Sequence, residues 1–143
     1  FPYTPLFRSA RPAFNAYRDS FQPSAAFPKP HAILGVAAVC ADSDEEANHL
    51  ATTMDLAWLR IRRGEFRPLP SPEEAQAYPY TAGERAAVQE YRSRTVVGDP
   101  DTVRRNIQIM ASESGADEVM IVTNLHGHAQ RLRSYELIAA AFS

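Results

Sequence analysis

An α/β fold with parallel strands is the expectation, and three observations carry it. Residues 31–41 (HAILGVAAVCA) and 118–124 (EVMIVTN) are apolar runs without polar alternation, as in strands covered on both faces of a parallel sheet. Around them lie segments whose apolar residues recur at three- and four-residue spacing, the signature of amphipathic helices. Strands and helices therefore alternate along the chain, which implies right-handed crossovers between parallel strands.

Each element has its own local reason. Phe14, Tyr17, Arg18 and Phe21 share helical spacing over residues 11–21, and Pro23 stops that helix, whereas residues 1–9 show neither period. After the first strand, Ser43 and Glu46 form a capping-box pattern that opens a helix over 43–63. Its apolar stripe is Ala47, Leu50, Ala51, Met54, Ala57, Trp58 and Ile61, and Gly64 supplies a left-handed cap. Residues 65–80 hold four prolines and no sustained period, so they read as an ordered insertion or a mobile loop. A helix is expected over 82–91 and a short strand or extended connector over 94–97. Asp99 and Pro100 then open a helix with Val103, Ile107 and Met110 buried, ended by Gly115. Residues 131–142 close the chain as a helix.

Composition sets the outer limits. A chain of 143 residues, 45% hydrophobic and 22% charged, has the makeup of one globular domain. Its net charge of -2 offers no basic surface, so no nucleic-acid partner is expected. No apolar run approaches the roughly 18 residues that span a bilayer, so no membrane partner is expected either. The single cysteine, Cys40, forms no internal disulfide and suits a cytoplasmic protein. Two confident strands make a poor sheet, with open edges and little for the helical stripes to pack on, which argues that the chain is incomplete. On that view the helix over 43–63 would expose an apolar stripe, and the chain alone would be marginally stable.

Several segments, in order, resemble the C-terminal part of the luciferase-like monooxygenase family, the LLM class oxidoreductases. They are residues 17–24 (YRDSFQPS), 41–47 (ADSDEEA), 62–75 (RRGEFRPLPSPEEA), 95–103 (TVVGDPDTV) and 116–139 (ADEVMIVTNLHGHAQRLRSYELIA). The resemblance implies that the chain is the C-terminal fragment of a (β/α)8 TIM barrel, holding its last two strands, the seventh over 31–41 and the eighth over 118–124. Residues 10–143 are then the end of a single barrel domain, while residues 1–9, lacking any period, read as a non-native or truncated leader or as a native loop. It further implies a monooxygenase that uses reduced FMN and molecular oxygen on a small organic substrate, with a separate flavin reductase and a dimeric full-length protein. Relatives that use a deazaflavin for hydride transfer, and a non-catalytic flavoprotein or regulatory relative, are the alternatives. A free-standing interaction module built on the proline-rich loop is a third reading.

A barrel of this kind places its chemistry at the carboxyl ends of the strands. That directs attention to His126 as a catalytic proton donor or substrate contact, and to Thr123 and Asn124 as hydrogen-bond partners of the flavin. Most of the flavin site is expected on earlier strands, so the fragment alone is expected to be inactive. Cys40 reads as a small buried apolar residue, and Asp42 as part of the helix-entry turn. His126 and His128 lack a third ligand, so no metal site is expected. Arg131, Arg133 and Ser134 open the last helix, where a surface ion pair is the simpler reading than a phosphate site.

Overall fold

The computed structural model describes residues 4–143, with side chains from residue 10 onward. Six helices and three strands follow one another as α1 (Thr4–Ser20), β1 (Ile33–Cys40), α2 (Asp44–Arg62), α3 (Pro72–Ala77), α4 (Ala82–Arg92), β2 (Val96–Gly98), α5 (Pro100–Ser114), β3 (Glu118–Val122) and α6 (His128–Ala141). Local chemistry sets most of the boundaries. Ser43, Ser71, Thr81 and Asp99 each accept a hydrogen bond from the backbone N–H three residues on, satisfying an orphan donor of the first turn. Gly64 (φ 76°) and Gly115 (φ 71°) take the left-handed conformation just past α2 and α5, where a side chain would be strained.

Three points correct or resolve the sequence expectations. Of the expected leader, residues 1–3 lie outside the described residues, while 4–9 already belong to α1, which starts well before residue 11. The proline-rich segment contains a short helix, α3, and is pinned along α2. Arg60 donates to Glu74 at 2.6 Å, Arg63 to the Tyr78 hydroxyl at 2.6 Å, and the Gln76 amide to His49 Nδ1 at 2.9 Å. The segment over 94–97 yields a true strand, so the sheet has three strands rather than two.

The sheet is parallel with order β2-β1-β3. β3 pairs with the first half of β1, from Ile33 opposite Glu118 to Ala37 opposite Val122. β2 pairs with its other edge only at the carboxyl end, from Ala38 opposite Val96 to Cys40 opposite Gly98. Successive side chains of a strand point to opposite faces, and here the two faces meet different partners. Leu34, Val36, Ala38 and Cys40 pack with Val119 and Ile121 of β3 against Phe14 of α1, Val103, Ile107 and Met110 of α5, and Ile138 of α6. Ala37, Val39 and Ala41 face the other way and meet Ala47, Ala51 and Met54 of α2, with Leu125.

That second face is covered only toward its carboxyl end. Ile33 (47% exposed), Gly35, Met120 (56%) and Val122 (40%) stand on it, apolar and open, with the exposed Glu118 opposite Ile33 at the amino end. The expectation of two strands buried on both faces is therefore corrected: β1 is fully covered only over 38–40, and β3 is half bare. The physical reason is that helices α1, α5 and α6 all lie on one side, leaving α2 alone on the other. α2 is also not the bare helix expected. It is sandwiched between the sheet and α3 and α4, so its buried set widens beyond the predicted stripe to Thr53, Asp55, Leu56 and Leu59, while Ile61 at its end is 56% exposed.

Candidate functional site

The carboxyl ends of the three strands converge on one end of the sheet. At the end of β1, Cys40 is 1% exposed, and its backbone N–H donates to the buried Ser134 hydroxyl of α6 at 2.9 Å. Burial, reinforced by the carboxylates of Asp99, Asp42 and Asp44 and opposed by Arg133, pushes the Cys40 thiol up to about 11. It is a protonated, packed thiol, not a nucleophile. Asp42 is not merely a turn residue, because it accepts from Arg133 at 2.6 Å and ties the β1–α2 turn to α6. Gly98 ends β2 so close to its surroundings that a Cβ there would lie 2.6 Å from Asp44 Oδ1 and from Thr102 Cγ2. Asp44 in turn accepts from the Asp99 N–H at 2.8 Å, locking the start of α2 to the start of α5.

Thr123, Asn124 and His126 come together just beyond β3. Thr123 is 2% exposed; its hydroxyl donates to the Ala38 carbonyl at 2.8 Å, and its N–H donates to the Tyr135 hydroxyl at 2.9 Å. It stitches β3 to β1 and α6. Asn124 is exposed, with its amide free of any protein hydrogen bond among the described residues. His126 is exposed as well, and its Nδ1 lies 2.8 Å from the Leu69 carbonyl of the proline-rich segment. A carbonyl only accepts, so Nδ1 carries the hydrogen, and in the neutral ring Nε2 presents a lone pair.

Sequence reasoning missed the partner of His126 entirely. Leu69, Ser71 and Glu73 reach the β3–α6 turn from far along the chain, and the only sequence signal was the proline-rich segment itself. A cavity of about 410 Å³ lies between α2, the start of α3 and that turn, and both His49 and His126 line it. The phosphate reading of the last helix loses its parts: Arg133 is engaged by Asp42, Ser134 by Cys40, and Arg131 lies 2.9 Å from His128. Among the described residues no group of three or more His, Cys, Asp and Glu is placed to hold a metal ion, and no helix is long and apolar enough to cross a membrane.

Comparison with known proteins gives this arrangement a context. No family model matches the chain. The uncharacterized protein YceB of Bacillus subtilis (strain 168) is 39% identical over 130 residues, 91% of this chain and 39% of that protein. A protein named luciferase-like monooxygenase in Escherichia coli (strain K12) is 37% identical over 125 residues, 87% of this chain and 37% of that protein. The crystal structure of apo-MsnO8 superposes with a TM-score of 0.80 at 37% identity, covering 93% of this chain and 41% of that one. Monooxygenase RslO1 from Streptomyces bottropensis, at 20% identity and a TM-score of 0.55, shares the fold over 98% of this chain and 39% of its own. The chain thus spans about two fifths of the length of the curated relatives it matches. Over those matched residues it is a relative of luciferase-like monooxygenases.

Proposed function

We propose that the chain is the carboxyl-terminal part of a flavin-dependent, luciferase-like monooxygenase, with β1 and β3 as the seventh and eighth strands of a (β/α)8 barrel. Residues 10–143 then belong to that single domain, with α1 reaching back to Thr4. One observation carries the reading: the face bearing Ile33, Gly35, Met120 and Val122 is apolar and open, while relatives sharing this sequence are far longer. Closing the sheet would turn that face inward, as the packed interior of such a barrel requires. The free thiol of Cys40 agrees with a cytoplasmic setting.

The residues present fit one part of a flavin and not another. Asp42, Asp44 and Asp99 surround the ends of β1 and β2, and Arg133, the guanidinium that acts on Cys40, is already paired with Asp42, so a phosphate does not fit there. The Asn124 amide and the His126 Nε2 lone pair, both exposed beyond β3, suit hydrogen bonds to a flavin ring edge or to a substrate. When bound, reduced FMN would supply the electrons for oxygen chemistry on a small organic substrate, with a separate reductase regenerating it. This chain's part is to orient and to shield. Thr123 fixes the β3 end through Ala38, Asn124 would hydrogen-bond the flavin ring, His126 would accept or return a proton at Nε2, and α2 keeps water from that end of the sheet.

The test compares the chain with the longer product of the same reading frame. FMN binding by the longer product and none by the chain is the expected result, followed by a lower kcat with unchanged FMN affinity in His126→Gln. Stoichiometric FMN binding by the 143 residues alone would overturn the assignment of the phosphate site to earlier strands. A longer product without flavin binding would overturn the function itself.

A further inference from the structure

The cavity beside His126 has a chemistry of its own, independent of whether flavin binds nearby. Its wall carries two histidines in opposite tautomers. The Leu69 carbonyl makes His126 Nδ1 a donor, so Nε2 faces outward as an acceptor. The Gln76 amide is a donor, so His49 Nδ1 accepts from it and Nε2 keeps the hydrogen. Glu46 and Glu73 add carboxylates, while no lysine or arginine lines the space of about 410 Å³. The Glu73 carboxyl is held below its ordinary value, first by its own backbone N–H and then by the Ser71 hydroxyl, which keeps it charged. Anions are therefore repelled, and the surplus is of acceptors.

Independent of these charges is an orphan in the wall. Thr53 is 0% exposed and its Oγ1 has no hydrogen-bond partner, although its neighbour Thr52 satisfies its own hydroxyl on the His49 carbonyl at 2.6 Å. Buried hydroxyls are rarely left alone. From the cavity, its opposed histidines and this unpaired hydroxyl, we infer that the space between α2, α3 and the β3–α6 turn binds the polar end of a small ligand rich in hydrogen-bond donors and bearing no negative charge, such as a primary amine. His126 Nε2 and Glu73 take its N–H groups, and the Thr53 hydroxyl, which has no exposed surface, is reached only as the wall yields to the ligand.

The experiment is a titration of the 15N-labelled 143-residue chain followed through its histidine side-chain resonances. Without ligand, the spectra should show His126 protonated at Nδ1 and His49 at Nε2. Added n-butylammonium should move both rings saturably, while butyrate at equal ionic strength should not. Glu73 is exposed, so Glu73→Gln leaves the fold intact and should weaken the ammonium by about fivefold. Thr53→Val should weaken it too, and Thr53→Ser should not. Equal shifts with butyrate, no shift with either ion, or an unchanged affinity in Glu73→Gln would overturn the proposal. Equal affinities in the two Thr53 variants would remove Thr53 from it.

Discussion

Replacing Arg92 with methionine isolates the strongest polar anchor of the α2–α4 region. Arg92 grips Asp55 through two bonds, Nε to Oδ1 at 2.6 Å and Nη2 to Oδ2 at 3.0 Å, and also donates to the Asn48 carbonyl at 3.2 Å. The side chains are 20% and 10% exposed, so the pair is largely withdrawn from water. Removing one member leaves a buried, uncompensated carboxylate, at a cost of about 3 kcal/mol, the low end for such pairs because this one borders a groove. Burial already raises the Asp55 carboxyl above its ordinary value, against the opposing hydrogen bond and charge of Arg92. Without Arg92 it rises further. A carboxyl whose folded pKa exceeds its unfolded value lends stability below the unfolded pKa, and that stability is lost as pH climbs through the folded one. The penalty of Arg92→Met should therefore be small in acid and grow with pH, at most by about 1.4 kcal/mol per unit. Urea melts across about pH 5 to 8, with an excluded osmolyte keeping the parent folded, provide the assay. In an Asp55→Asn background the same change should cost only about 1 kcal/mol. A pH-independent penalty, or an equal penalty in both backgrounds, would refute the reasoning.

Two further changes probe other parts of the structure. Ser134→Ala strands the buried Cys40 N–H and should cost about 1–3 kcal/mol in the same melts; a loss below about 0.5 kcal/mol would show that water reaches that bond. Met120→Lys puts a charge on the open sheet face and should raise the monomer fraction in sedimentation, since exposed apolar patches drive association. An unchanged association state would mean that this face is not the sticky one.

How much of this was legible in the sequence depends on whether the cause is local. The caps at Ser43 and Asp99 and the left-handed glycines at 64 and 115 fall where expected, because each is fixed by residues within one turn. The existence of β1 and β3 was legible from their apolar runs, but their burial was not. A run such as ILGVAAVC reports what a strand is built to meet, and the cover over Ile33 and Gly35 is not supplied by the described residues. β2 was ambiguous because three residues carry no period of their own, and it becomes a strand only by pairing with Ala38–Cys40. Thr123, Asn124 and His126 were found from their place after a strand; the tie of His126 to Leu69 spans 57 positions, and no local pattern encodes it.

The faces of β1 also settle how the chain is threaded. A periodic helix directly after a parallel strand invites the reading that α2 is the crossover to the next strand. Residue parity says otherwise: α5, not α2, shares the face of Leu34, Val36 and Ala38 with α1 and α6. The working unit is therefore β1–α5–β3, and residues 42–95 are an insertion that folds over the opposite face at the carboxyl end of β1. If the sheet closes into a barrel, this insertion stands over the mouth instead of in the outer ring. His49, Thr53, Leu69 and Glu73 then reach the reacting end from within this insertion and not from the turn just beyond a strand. On the proposed function, changes in this insertion would act on substrate preference, whereas changes on α1, α5 and α6 would register as stability.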